Sequence, residues 1–223
     1  MDTRLIQQFP GGEVSVVWYT PNAEELIVRM ARVSAPTNEN NMDTAPRLIR
    51  YLIKHDHWSP MEMCNLCVEI KTTRAISAQI IRHRSFSFQE FSQRYADINE
   101  IGTARVPSLR RQDIKNRQNS IDDLPDHLVQ SYERRIALLF DEASHLYGEM
   151  VSQGVAKECA RNVLPLATPS RLYMNGTLRS YLHYCDLRCQ ESTQLEHRNL
   201  AEGIKNIFTV LFPNLASAMW ELE

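Results

Sequence analysis

The sequence is poor in the features that most nucleotide-binding and covalent-catalytic proteins rely on. Only 7 of its 223 residues are glycine, and they form neither GxGxxG nor GxxxxGK[ST]. A nucleotide cradled by a Rossmann or phosphate-loop backbone is therefore excluded. Excess positive charge is also missing: the formal net charge is −2, which argues against a nucleic-acid partner or an anionic membrane surface. No apolar run approaches the ~20 residues that span a bilayer. Residues 1–8 are polar and lack the apolar stretch of a signal peptide, so the expected location is cytoplasmic. Five cysteines, an odd number without dense spacing, fit reduced thiols rather than a disulfide framework. No Ser-His-Asp or Cys-His order is evident, and no repeat, low-complexity run or linker interrupts the chain. One domain over 1–223 is expected.

What is present reads as α+β, a small sheet flanked by several helices, one of them long. Residues 14–19 are β-branched and aromatic, a strand signal. Asn22 with Glu25 suggests a cap for a helix through Ser34, and Thr44 a cap for a second helix bearing Leu48, Ile49, Leu52 and Ile53. That helix runs into His55-Asp56-His57, a polar helix end stopped by Pro60. Residues 61–72 suggest a long strand, with Thr73 starting the helix that carries Gln79. A strand is expected over 101–106, then a solvated basic loop over 108–123, a possible lid. Residues 125–153 give the clearest helical pattern, with Leu128, Tyr132, Ile136, Leu139, Phe140, Leu146 and Tyr147 as a core stripe. A shorter helix follows over 156–163. Residues 171–174 suggest a strand broken by Asn175-Gly176, then Thr177 caps a helix to Arg188. An amphipathic helix over 193–212 and a last short one complete the chain.

The densest chemistry lies in 82–95, RHRSFSFQEFSQRY. It has no aliphatic residue, but three arginines, a histidine, three serines, two amides, a carboxylate and four aromatic rings. Guanidinium forks bind phosphate and carboxylate oxygens bidentately, and aromatic faces stack on planar heterocycles. The stretch therefore describes a pocket for a flat, phosphorylated, nitrogen-rich ligand. Complementing the negative end of a helix would explain Arg82 and Arg84 but not Ser92 and Arg94 ten residues on. Arg161, set among apolar residues, calls for an anionic partner. Metal is disfavoured: on a strand Cys64 and Cys67 point to opposite faces, and Cys185 with Cys189 supply only two thiolates.

RHR, seven residues, Ser, one residue, Arg resembles the motif of the flavin-dependent thymidylate synthases. The likeness extends over about 23–212 and includes YLIKHDHWSP, Gln79-x-x-Arg82, CARNVLPL and GTLRSYLHYCDLR. It implies reductive methylation of dUMP, with FAD as cofactor and NADPH and 5,10-methylenetetrahydrofolate as co-substrates. It implies no protein nucleophile, and a homotetramer whose sites are shared between chains. By the same resemblance Gln79, Ile80, Ile81, Arg82, Glu90, Phe91, Ser92, Gln93, Arg94, Arg161 and Arg188 hold dUMP. His57, Ser59, Glu62, Arg82, His83, Arg84, Glu90, Thr177, Leu178, Arg179 and His183 hold FAD. Thr177 and His183 stand where many members carry asparagine. Arg188 is the catalytic residue on this likeness; its residues alone leave a helix-dipole role, or pairing with Asp186 or Glu191, equally open.

Two other classes compete. A single-stranded nucleic-acid module would use Phe86, Phe88, Phe91 and Tyr95 as stacking platforms, which the net charge disfavours. A zinc-stapled scaffold is disfavoured by the cysteine spacing.

Overall fold

The computed structural model describes residues 5–221. Its centre is a five-stranded antiparallel sheet in the order β1-β2-β3-β7-β4, formed by Ile6–Phe9, Gly12–Tyr19, Asn65–Thr73, Pro169–Thr177 and Ser87–Glu90. Side chains alternate across a pleated strand, and β7 shows this plainly. Ser170, Leu172, Met174 and Gly176 are buried, whereas Arg171, Tyr173, Asn175 and Thr177 remain at least partly open. The buried face meets helices α1 (Ala23–Ala31), α2 (Ala45–Lys54), α6 (Leu178–Arg188), α7 (Leu195–Leu211) and α8 (Pro213–Trp220) in one apolar core. The other face of β7 and β4 stays accessible.

Several boundaries follow from local chemistry. Thr73 caps α3 (Arg74–Ile80), and Thr177 caps α6 through the Ser180 N–H at 3.2 Å, as the sequence predicts. Asn22 and Thr44 sit at helix starts but make no side-chain cap. Asn22 adopts a left-handed backbone, and the Thr44 hydroxyl instead accepts from Arg32 Nη2 at 2.7 Å. α2 ends in a Schellman turn, with Asp56 left-handed and the His57 N–H donating to the Leu52 carbonyl at 2.8 Å. A 3-10 turn, Ser59–Met63, takes the place of the start of the long strand expected at 61.

Three expectations fail more instructively. No strand forms over 101–106, and the 108–123 loop carries its own hairpin, β5 (Arg111–Gln112) with β6 (Ser120–Ile121), closed by an Arg111–Asp123 ion pair. The helix α4 (Asp126–Ser152) exists as predicted, but its stripe is not core. Tyr147 alone is buried there, packed with Ile98 and Ala160, while Tyr132 is 49% and Leu139 65% exposed. The third failure is β7, which runs unbroken through Asn175-Gly176. Gly176 is needed because the Phe86 ring lies where its Cβ would be.

That ring packs 4.9 Å from Tyr181 and 5.9 Å from Tyr184. Gly176→Ala should therefore destabilise the protein by about 1–3 kcal/mol, the usual range for overpacking a filled core. Denaturant midpoints would check this. Adding Phe86→Leu to the alanine variant should restore part of the loss, and additive losses would show that the two do not meet.

Candidate active site

The RHR stretch is a turn followed by a strand, so period two sorts its side chains between two faces. Register pairs Phe88 with Met174, and Glu90 with Leu172, on the helix-covered side, and Phe86 precedes them on that side. Gln89 pairs with Tyr173 on the open side, and Phe91 follows there. The sequence reading of one continuous pocket is thus corrected. Phe86 and Phe88 are core residues, while Tyr95, 87% exposed, is at the surface.

The first group of polar residues gathers where α3, α6 and α7 meet. Arg188 Nε donates to His83 Nε2 at 2.7 Å, joining residues 105 apart. Among the described residues no ion pair ties Arg188 to Asp186 or Glu191. Beside it, Tyr184 Oη lies 3.0 Å from His197 Nε2, and His197 Nδ1 lies 3.2 Å from Gln79 Oε1. The His83 ring stands edge-on to Tyr184 at 4.9 Å. Burial holds the His83 pKa down to about 4, helped by the Arg188 and His183 charges. His197 is held down to about 3 by burial, then by Arg188 and His83. Both imidazoles are therefore neutral at physiological pH, so His83 can accept from a guanidinium.

The second group lies on the open face. Phe91, Ser92, Tyr95 and Ala96 with Gln89, Arg171 and Tyr173 line a cleft of about 400 Å³. Arg94 pairs with Glu158 at 3.0 Å, and Gln93 is buried with Nε2 unpartnered. Arg161 ends α5 (Lys157–Ala160), half-buried, with no ion pair among the described residues. No hydrogen bond or ion pair among the described residues joins this group to the Arg188 group. Glu90 sits between them, its Oε1 accepting from Arg74 Nη1 and Ser170 Oγ, each at 2.8 Å, and from Ser77.

The remaining sequence candidates surround the start of α6. Glu62, from the 59–63 turn, pairs with Arg179. His57, Ser59, Arg82, Arg84 and His183 are exposed, and no ion pair among the described residues engages either arginine. The Leu178 side chain is fully buried and its N–H donates to the Cys64 carbonyl at 2.9 Å; Ile80 is equally buried. Those two could meet a ligand only through backbone carbonyls, or the Ile80 N–H were its helix bond released. Ile81 is 40% exposed.

Sequence reasoning missed Tyr184, His197, Arg171, Tyr173 and Gln194. For His197 a signal existed: it lies three, four and seven residues before Leu200, Ala201 and Ile204, a titratable group on the apolar stripe of α7. A second cleft of about 420 Å³ lies between the 108–123 hairpin and the start of α7, where Arg110 pairs with Glu196 at 2.7 Å. The loop is thus anchored, at least at that end. No helix among the described residues is long and apolar enough to cross a membrane.

Residues 15–214 match the profile of the family described as Thymidylate synthase complementing protein. A probable flavin-dependent thymidylate synthase of Paramecium bursaria Chlorella virus 1 is 47% identical over 197 residues, covering 88% of this chain and 90% of that protein. The flavin-dependent thymidylate synthase of Synechocystis sp. is 44% identical over 219 residues, covering 98% and 99%. Among solved structures, a UMP/dUMP methylase, PolB from Streptomyces cacaoi bound with 5-Br dUMP, superposes with a TM-score of 0.83. It is 27% identical, over 94% of this chain and 95% of that one.

The two neutral histidines make stability pH-dependent. Unfolded, each binds a proton below its ordinary value of 6.5; folded, neither does until about 4 for His83 and about 3 for His197. Between those limits the unfolded chain holds more protons, so stability is full above 6.5 and is lost as pH falls towards 4 and 3. Denaturation midpoints from pH 7 down to about 5, above most carboxylate titrations, should decline. The decline should be shallower in His83→Gln.

Proposed function

The chain belongs to the thymidylate synthase complementing protein family, the flavin-dependent thymidylate synthases, and on that premise we propose that it methylates dUMP reductively to dTMP. The carbon comes from 5,10-methylenetetrahydrofolate, and FAD, recharged by NADPH, supplies the hydride when bound. The observation that carries this reading is the Arg188–His83 hydrogen bond. It ties the RHR motif to the last turn of α6 and fixes one nitrogen of the guanidinium. The two terminal NH2 groups are left to face a planar ring edge. A guanidinium so held stabilises negative charge on the uracil ring by preorganised electrostatics; it takes up no proton itself, and a proton lost from the ring nitrogen goes to solvent.

The chain's residues fit a dinucleotide cofactor. Arg82 and Arg84 are exposed cations beside a neutral imidazole, suited to a pyrophosphate. His57, Ser59, Glu62, Glu90, Arg179, His183 and the backbone at 177–178 would complete that site. The Thr177 hydroxyl is already engaged with Ser180 and Arg179 with Glu62, so the exposed His183 is its freer side-chain contributor. For dUMP, Gln79, Arg82, Arg188 and the backbone of 80–81 form one wall. Glu90, Phe91, Ser92, Gln93, Arg94 and Arg161 form another, Arg161 meeting the phosphate.

Because no hydrogen bond or ion pair among the described residues joins those walls within one chain, we assign the complete site to a homotetramer. The apolar α4 stripe, with Leu139 65% exposed, is the surface that assembly would cover. The whole chain then acts as one catalytic domain, in the cytoplasm, on small molecules. A nucleic-acid platform finds no support, since Phe86 and Phe88 face the core.

Ser92 is not a nucleophile on this reading, because no hydrogen bond among the described residues joins its hydroxyl to a base. Ser92→Ala should raise the dUMP KM yet leave measurable methylation. Arg188→Lys keeps the charge but loses both the fork and the His83 bond. It should lower dTMP formation by on the order of 10²-fold while flavin content and NADPH-driven flavin reduction change far less. Absorbance spectra, size-exclusion light scattering and steady-state kinetics test the set. A colourless monomer that cannot be reconstituted with FAD would refute the assignment.

A further inference from the structure

The polarity of a hydrogen-bond chain that runs inward from the exposed Gln194 to the buried His197 and Tyr184 is set at one end. Glu196 forms an ion pair with Arg110 and is half-buried. Burial opposes its charge, but hydrogen bonds from Arg110 and Gln194 hold its pKa below the ordinary carboxylate value. An ionised carboxylate only accepts. Gln194 must therefore turn its NH2 towards Glu196 Oε2, at 2.9 Å, which turns its Oε1 towards Gln79. Gln79 must answer with Nε2, at 2.6 Å, and this leaves its own Oε1 facing His197 Nδ1 at 3.2 Å. That nitrogen must then carry the proton, so Nε2 of a neutral ring accepts from the Tyr184 hydroxyl at 3.0 Å. Reversing any amide would set donor against donor or acceptor against acceptor. At the inner end, where Gln79 meets His197 and where His197 and Tyr184 are fully buried, water could not repair the fault.

We infer that His197 is a positioning residue, which with Tyr184 holds the Gln79 amide carbonyl inward and its NH2 outward. The ligand group that meets Gln79 is consequently a hydrogen-bond acceptor, such as a carbonyl, hydroxyl or phosphate oxygen. This rests on the reading of Gln79 as part of the dUMP wall. Gln194 takes one N–H of that NH2 in the ligand-free chain, and the other remains for the nucleotide. A hydrogen-bond donor presented by a ligand at the same point would meet a donor, so the arrangement selects as well as binds.

The test uses the FAD-loaded full-length enzyme. His197→Leu removes the inward donor and frees the amide to turn, so the dUMP KM should rise about tenfold with kcat changed much less. His197→Asn places a side-chain N–H near the position of Nδ1 and should recover most of the loss. Histidine nitrogen NMR of the unaltered protein at pH 6 should find His197 neutral with its proton on Nδ1, a signature that does not depend on the leucine variant folding. A proton on Nε2, an asparagine variant as impaired as leucine, or no change in KM with either would overturn the inference. Failure of the unaltered enzyme to form dTMP would instead overturn the functional reading, with the NMR result still judging the amide.

Discussion

A guanidinium seated against two imidazoles constrains everything around it. Burial first, and then the charge of Arg188, keeps protons off His83 and His197, so both rings stay neutral and every donor around them must point the right way. Neutrality requires burial, and burial is supplied by Tyr181, Tyr184 and Phe86 packing between the sheet and α6. Phe86 reaches that place only because residue 176 has no side chain. A bare position in β7 thus sets the turn that delivers His83, and His83 in turn aims Arg188. Remote packing and local chemistry here form one chain of dependence.

The alternation of β4 divides the motif's duties. Inward residues stabilise: Phe86 and Phe88 fill the core, and Glu90 collects Arg74, Ser77 and Ser170. Outward and following residues, Gln89 to Ala96, shape an open cleft. A contiguous motif thereby serves two surfaces that face different ways. In our reading the second surface meets the first of a neighbouring chain. The same reading accounts for an apolar stripe on α4 that its own chain leaves uncovered. A helix with helical periodicity has an apolar face, but periodicity does not say whose core that face enters.

This explains which parts were legible in the sequence. Helix α6 could be placed because Thr177 and Arg188 bracket a local pattern, and α3 because Thr73 caps it. Asn22 and Thr44 misled, since the cap competes with a left-handed turn at one and with Arg32 at the other. β4 was hidden by its composition: Ser87-Phe88-Gln89-Glu90 alternates, but its aromatics read as ligand platforms. The break assumed at Asn175-Gly176 followed local propensity, which nine paired residues of β3 and β7 override. The motif residues and Arg188 could be nominated from sequence. The stripe of α7 marked His197 as unusual but not its partners, and the bonds that join Gln79 to Gln194 and to His197 cross more than 100 residues and leave no local pattern.

The balance of charge around the site carries the chemistry further. The carboxylates nearest the motif are already committed, Glu90 to Arg74, Glu62 to Arg179 and Glu196 to Arg110. Arg82, Arg84, Arg161 and Arg188 have no such partner among the described residues. Of these Arg161 and Arg188 are partly buried, where an unpaired cation is costly unless an anion arrives; nucleotide phosphates are suited to Arg161 and to the exposed Arg82 and Arg84. The fourth lies against neutral rings, where no carboxylate competes for it. Charge developing on a pyrimidine there would add an opposite charge to the neutral acceptor, His83, that Arg188 already has. A site of this kind needs no thiolate. Indeed Cys64, Cys67 and Cys185 are buried with their thiols pushed up by burial, and Cys189, though held lower by its hydrogen bond with Cys185, packs against the core. On the function proposed above, activation of the substrate falls to fixed positive charge, and the burial that keeps His83 and His197 neutral is what leaves that charge unquenched.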